Sequence, residues 1–179
     1  MKCLEEIQKI YGDASEWLKF IETKHAGLFA VWTAFFIAVI TSDFFWNIEI
    51  FFKAIIIIPI LIGILIDLAS FVPFLNQSKM LRKRSYKYYS KNTGNMVFYV
   101  SIFIDTYSEE KDIEYSIERY KAIIAEENYD DLNTKIVTDY VKQIIDVSTV
   151  ATIKAYLFNL ATKYASLIII IAIATLIIA

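Results

Sequence analysis

Three long apolar runs alternate with charged segments along the chain. Ala26 to Thr41, Ile55 to Ile66 and Ala165 to Ala179 carry almost no charge, whereas the stretch from Asn76 to Lys163 holds most of the Lys, Arg, Asp and Glu residues. A helix needs about twenty apolar residues to cross roughly 30 Å of hydrocarbon, where only internally hydrogen-bonded backbone is tolerated. The first run meets this from Ala26 to about Phe45. The second runs from about Ile50 to Ile66 or Val72, with soft limits because Lys53 and Asp67 lie near its ends. A short polar turn, Asp43 to Glu49, joins the two into a helical hairpin. The third run, YASLIIIIAIATLIIA, starts after Lys163 and reaches full span length only if the helix is entered from Leu157 or Leu160. An isoleucine-rich buried strand is the alternative for one run, but no soluble fold readily buries three.

The polar segments carry helical periodicity of their own. Leu4, Ile7, Ile10, Trp17, Leu18 and Ile21 recur near helical spacing, and Asp13-Ala-Ser-Glu16 has the order of a helix start, which predicts two short helices broken near Gly12. This amphipathic segment packs on the cytosolic part rather than on lipid, since its polar face is not rich in basic residues. Met96 to Tyr107 is β-branched and aromatic, open to a strand or to a buried helix. Ile113, Ile117, Tyr120, Ile123 and Ile124 form a helical pattern that stops around Asn128, before a turn at Asp130-Asp131. From Leu132 apolar positions continue at three- and four-residue steps, and no proline or glycine follows Gly94. One long helix is expected from about Asp131 to the membrane, a mechanical connection between cytosolic part and bilayer, with passage through the bilayer left open. The fold class is therefore mainly α, an integral membrane helical protein. Its expected parts are a cytosolic amphipathic helix (1–24), a transmembrane hairpin (25–75), a cytosolic sensing segment (76–156) and a third transmembrane helix (157–179).

Composition agrees: 57% of the 179 residues are hydrophobic and the mean hydropathy is +0.47, values a soluble domain seldom reaches. The N-terminus lacks a basic start, apolar core and small-residue cleavage site, so no removable signal peptide is expected. The second run is followed by Lys79, Arg82, Lys83, Arg84, Lys87 and Lys91, with no acidic residue between Asp67 and Asp105. Basic flanks stay on the cytoplasmic side, which predicts a multi-pass inner-membrane protein with its N-terminus cytoplasmic and its C-terminus outside.

Net charge is only −2, so no global field recruits nucleic acid, and none is expected as a specific partner. One cysteine, Cys3, and one histidine, His25, exclude an intrachain disulfide and a Cys/His zinc site. No nucleophile with a base, no carboxylate pair with a histidine and no Gly-rich phosphate loop is present, so neither catalytic residues nor an enzyme is expected.

Several strings resemble the Pycsar transmembrane effectors, small bacterial membrane proteins of anti-phage defence that respond to cyclic pyrimidine nucleotides. They are FIETKHAGLF (Phe20 to Phe29) at the start of the first span, Asn95 to Tyr107 followed by Ser108-Glu-Glu, and Lys142-Gln-Ile-Ile-Asp-Val-Ser running toward Lys154. In the first string His25 stands between Lys24 and Ala26, where the family typically has Thr-Lys-Ala. The two-span SLATT effectors share the hairpin but generally lack the third span. The resemblance implies a cytosolic segment that senses cUMP or cCMP made by a partner cyclase, with no other cofactor, and spans that damage the inner membrane.

Candidate residues carry two readings each. Glu22 and Lys24 form an interfacial pair with a snorkelling lysine, or, on the resemblance, a ligand-contacting corner. Asp67 lies either inside hydrocarbon, where a carboxylate marks function, or at the cytosolic interface. Pro59 and Gly63, four apart, loosen the backbone ladder and predict a kink available for gating. Arg82, Arg84 and Tyr88 belong to a run of cations and aromatics that suits anionic lipid and, alternatively, a nucleotide. His25 reads as an interfacial residue rather than a ligand or base, and Cys3 as inert. These readings make the chain a ligand-gated membrane effector acting as a homo-oligomer, because three spans cannot enclose a wide pore. The alternative is a membrane-anchored interaction protein with no ligand-gated activity.

Overall fold

The computed structural model describes residues 2–72, 78–91 and 135–178. Within them the chain forms five helices and no strand: α1 (Lys2–Thr41), α2 (Asp43–Asn47), α3 (Ile50–Ser70), α4 (Lys79–Tyr89) and α5 (Lys135–Ile178). Segments of α1, α3 and α5 are long and apolar enough to cross a membrane: Ile7–Thr41, Ile50–Ser70 and Lys135–Ile171. The expectations for Met96 to Tyr107, Ile113 to Asn128 and the turn at Asp130 lie outside the described residues.

The break expected near Gly12 does not occur, because α1 runs uninterrupted from Lys2 to Thr41. A glycine inside a helix costs only about 1 kcal/mol relative to alanine. Against this, Ile7 and Ala14 on either side of Gly12 are both buried, on one face, seven residues apart. Their burial outweighs the propensity term, and the helix continues through Gly12. The long C-terminal helix is likewise continuous, from Lys135 to Ile178. The polar turn between the first two spans contains its own short helix, α2, whose N-cap Ser42 accepts a hydrogen bond from the Phe45 amide.

The chain divides into two units. The first takes Met1–Phe20 and Phe74–Ile153. Its core is Ile7 against Val137, Val141, Ile144 and Ile145, with Ile10, Tyr11 and Tyr140 packed around them. Each such aliphatic side chain contributes roughly 1.5–3 kcal/mol on burial. Gln8 donates to the Tyr140 hydroxyl at 3.2 Å, and Tyr11 meets the same ring edge-on at 5.8 Å. The N-terminal amphipathic segment thus packs on helix α5, as its sparsely basic polar face suggested.

The second unit takes Ile21–Pro73 and Lys154–Ala179, and contains the whole α3 segment and the parts of the α1 and α5 segments from Ile21 and Lys154 onward. Trp32, Ile56, Ile60 and Ile168 form its core. Val31, Ile58, Leu65, Ile169 and Ile170 point outward and are exposed, an arrangement suited to lipid as the surrounding solvent. Hydroxyls inside the apolar helices bond back to their own backbone, Thr33 to the Phe29 carbonyl and Thr162 to that of Phe158, each at 2.9 Å. At the hairpin's tip the Trp46 indole donates to the Ile40 carbonyl and Lys53 Nζ to the Trp46 carbonyl, at 2.9 and 3.0 Å.

On α3 the buried positions are Ile56, Ile60, Gly63, Asp67 and Ser70, at steps of four and three. This is the seam spacing of packed antiparallel or parallel helices. Pro59 lies inside the same helix. At Gly63 the seam closes tightly: a Cβ there would sit 2.7 Å from Trp32 Cζ2, so the indole occupies the volume that any other residue would need. Gly63→Ala is expected to destabilise by about 1–3 kcal/mol through overpacking. A thermal melt in detergent should show this loss, and Trp32→Phe should recover part of it; a Gly63→Ala melt equal to wild type would refute the close packing.

Candidate functional site

The second unit has a buried polar junction where α1, α3 and α5 meet. His25 follows Ile21 and precedes Trp32 on the buried face of α1 at steps of four and seven, so its imidazole faces neighbouring helices instead of lipid. Asp67 holds the corresponding place in the α3 seam, four residues after Gly63. Both side chains are 0% exposed.

Nδ1 of His25 lies 2.7 Å from Asp67 Oδ1, and Nε2 lies 2.9 Å from the main-chain carbonyl of Lys154 on α5. A carbonyl only accepts, so Nε2 carries a hydrogen and donates it. One further proton lies between Nδ1 and Oδ1. It resides either on the ring, facing a carboxylate, or on the carboxyl group, facing a neutral ring. The pair has zero net charge in both arrangements, which is how a charged residue type is accommodated where isolated charge is very costly.

A second bridge lies beside the first. Lys154 Nζ donates to Glu22 Oε1 at 2.5 Å, the lysine side chain being 9% exposed and the glutamate 44%. Glu22 and His25 are three residues apart and share one face of α1, so Lys154 is held by the first through its side chain and by the second through its backbone. The edges of Phe71 and Phe158 close around the imidazole, with ring centroids at 6.3 and 5.5 Å. The Ser70 hydroxyl donates to the Asp67 carbonyl at 2.6 Å. Asp67 Oδ2 and Trp32 Nε1 are buried without a hydrogen-bond partner.

Of the residues singled out in the sequence, Glu22, Lys24, Pro59, Gly63 and Asp67 lie in this unit. Glu22 and Asp67 belong to the junction, and Lys24 Nζ stands 5.7 Å from the Phe158 ring centroid. Arg82, Arg84 and Tyr88 lie on α4 in the other unit, with Tyr88 edge-on to Tyr89 at 4.9 Å. His25 and Lys154 are the members that sequence reasoning missed. His25 is fully buried and doubly bonded. The signal was its phase: at the seam spacing that places Ile7, Ala14 and Ile21 inside, His25 also falls inside. Among the described residues no three His, Cys, Asp or Glu side chains converge as a metal site would require.

The junction can hold three helices in register, and any rearrangement must break it. Removing one partner leaves a buried polar group unpaired, at about 1–3 kcal/mol. A double-mutant cycle tests the coupling. His25→Phe and Asp67→Leu should each lower the detergent melting temperature, while the double variant should lose less than the sum. Strict additivity would mean that the two side chains do not interact.

A protein-family model described as PycTM, Pycsar effector protein domain, matches residues 6–179. No curated protein and no solved structure matches the chain.

Proposed function

The chain belongs to the Pycsar effector family, which makes it a membrane protein and an effector of anti-phage defence, and from that premise we propose that it senses a cyclic pyrimidine nucleotide and impairs the inner membrane in response. The nucleotide, cUMP or cCMP, is supplied by a partner cyclase, and the outcome is growth arrest or death of the infected cell. The N-terminus is cytoplasmic and the C-terminus outside, consistent with the cations that follow α3.

The observation that carries this reading is the buried junction of His25, Asp67 and Lys154. Apolar helices in lipid have little hydrophobic force between them, so interhelical hydrogen bonds decide which packing is favoured. A ligand shifts a conformational equilibrium only by its differential affinity for the two states. A junction worth a few kcal/mol is therefore the right size to be overcome by nucleotide binding. Pro59, Gly63 and Asp67 recur every four residues along α3 and form the gating face. On the cytosolic side, Arg82 and Arg84 supply charge for the phosphate and Tyr88 a ring for the base. Glu22 and Lys24 make the corner through which binding acts on the first span. Displacing α5 draws the Lys154 carbonyl from His25, and the spans of several copies rearrange into a leak.

Calorimetric titration of the full-length protein with cUMP and cCMP tests the sensing step, and heat from neither would end it. Cells supplied with the ligand should depolarise on expressing the wild type, and Asp67→Asn should change the ligand concentration required. Unaltered depolarisation by Asp67→Asn would remove the junction from the gating step.

A further inference from the structure

We infer that the outward face of α4 is a docking surface for anionic phospholipid headgroups. Helix α4 (Lys79–Tyr89) begins at the N-cap Ser78, whose hydroxyl accepts from the Leu81 amide. Its exposed residues are Lys79, Met80, Lys83, Arg84 and Lys87. At about 100° per residue these five fill one continuous arc of roughly 140°. Ser85, on the opposite side, is buried, and Leu81, Arg82 and Tyr89 beside it are half-buried. The helix therefore segregates four cations onto one side.

None of those four cations forms an ion pair with a described residue, and no acidic residue occurs between Asp67 and Asp105. In a chain of net charge −2, this face has no counter-charge of its own nearby in sequence. Met80 stands among the cations, 59% exposed. An apolar side chain ringed by lysines is unfavourable in water and favourable where headgroups meet acyl chains. Lipid phosphate explains both features: each lysine is attracted to an anionic surface, and the methionine enters the boundary layer. A soluble nucleotide would satisfy the cations but leave Met80 in water. Arg82 and Tyr88, assigned above to the nucleotide, lie outside the arc, and Arg84 sits at its edge. This inference does not depend on nucleotide sensing.

The test uses the full-length protein with Cys3→Ser and Met80→Cys, labelled at position 80 with a polarity-sensitive fluorophore. It is reconstituted into nanodiscs of phosphatidylcholine alone or of phosphatidylcholine with phosphatidylglycerol. The inference expects a blue shift only in the discs with phosphatidylglycerol, abolished by high salt. It also expects the shift to be lost on Lys79→Gln, Lys83→Gln and Lys87→Gln together. These positions are exposed, so an unchanged melting temperature establishes that the triple variant is folded. Identical spectra in both discs would overturn the inference, as would a shift that survives the triple substitution. A shift produced in phosphatidylcholine discs by cUMP or by added RNA, but not by phosphatidylglycerol, would assign the face to that ligand and equally overturn it.

Discussion

Buried among packed helices, a polar group has no water to fall back on, and among the described residues this constraint falls on a histidine and an aspartate that are both fully buried where α1, α3 and α5 meet. His25 must donate to a carbonyl on α5 and share a proton with a carboxylate on α3, so α1, α3 and α5 have one relative arrangement that satisfies all three. Among the apolar contacts Ile60 and Ile168 fill space in a way that another aliphatic side chain could imitate, whereas Trp32 is seated against Gly63. The junction is not tolerant. A displacement of one helical step would leave a histidine, an aspartate or a main-chain acceptor buried without its partner. Specificity of packing therefore resides in a few polar atoms and in the Trp32–Gly63 contact, and bulk cohesion in the aliphatic side chains.

The tight contact between Trp32 and Gly63 serves the same arrangement from the apolar side. Missing a side chain, Gly63 lets the indole approach α3 directly, and one helical turn later Asp67 reaches His25. Close backbone approach and hydrogen bonding are thus neighbours along one seam. This is the expected economy of a membrane bundle, where small residues admit the approach that makes polar contacts short.

Much of this was legible in the sequence, and for definite reasons. Runs of isoleucine and phenylalanine fix the membrane segments because hydrocarbon thickness sets their length. The steps of three and four after Leu132 reveal a long helix because packing imposes its period on sequence. The family, too, could be read from a few strings near Phe20 and Lys142. The junction was harder. Its partners are 42 and 129 residues from His25, and a lone histidine beside Lys24 looks like a membrane boundary. Asp67 was not assigned a partner because composition near a helix end does not reveal which side faces the bundle. Only the phase of the buried positions places both residues inside. Gly12 misled in the other direction, since local propensity was outweighed by the burial of its neighbours on α1.

The charge balance of the junction bears on how the protein behaves in an energised cell. A bacterial membrane sustains a large electric field, and a single charge carried across it would exchange about 2.3 kcal/mol for every 100 mV. His25 with Asp67, and Lys154 with Glu22, are each neutral as pairs, so the field has almost no net charge to pull on. A helix junction built this way is held by geometry rather than by charge, and an applied voltage has little on it to grip.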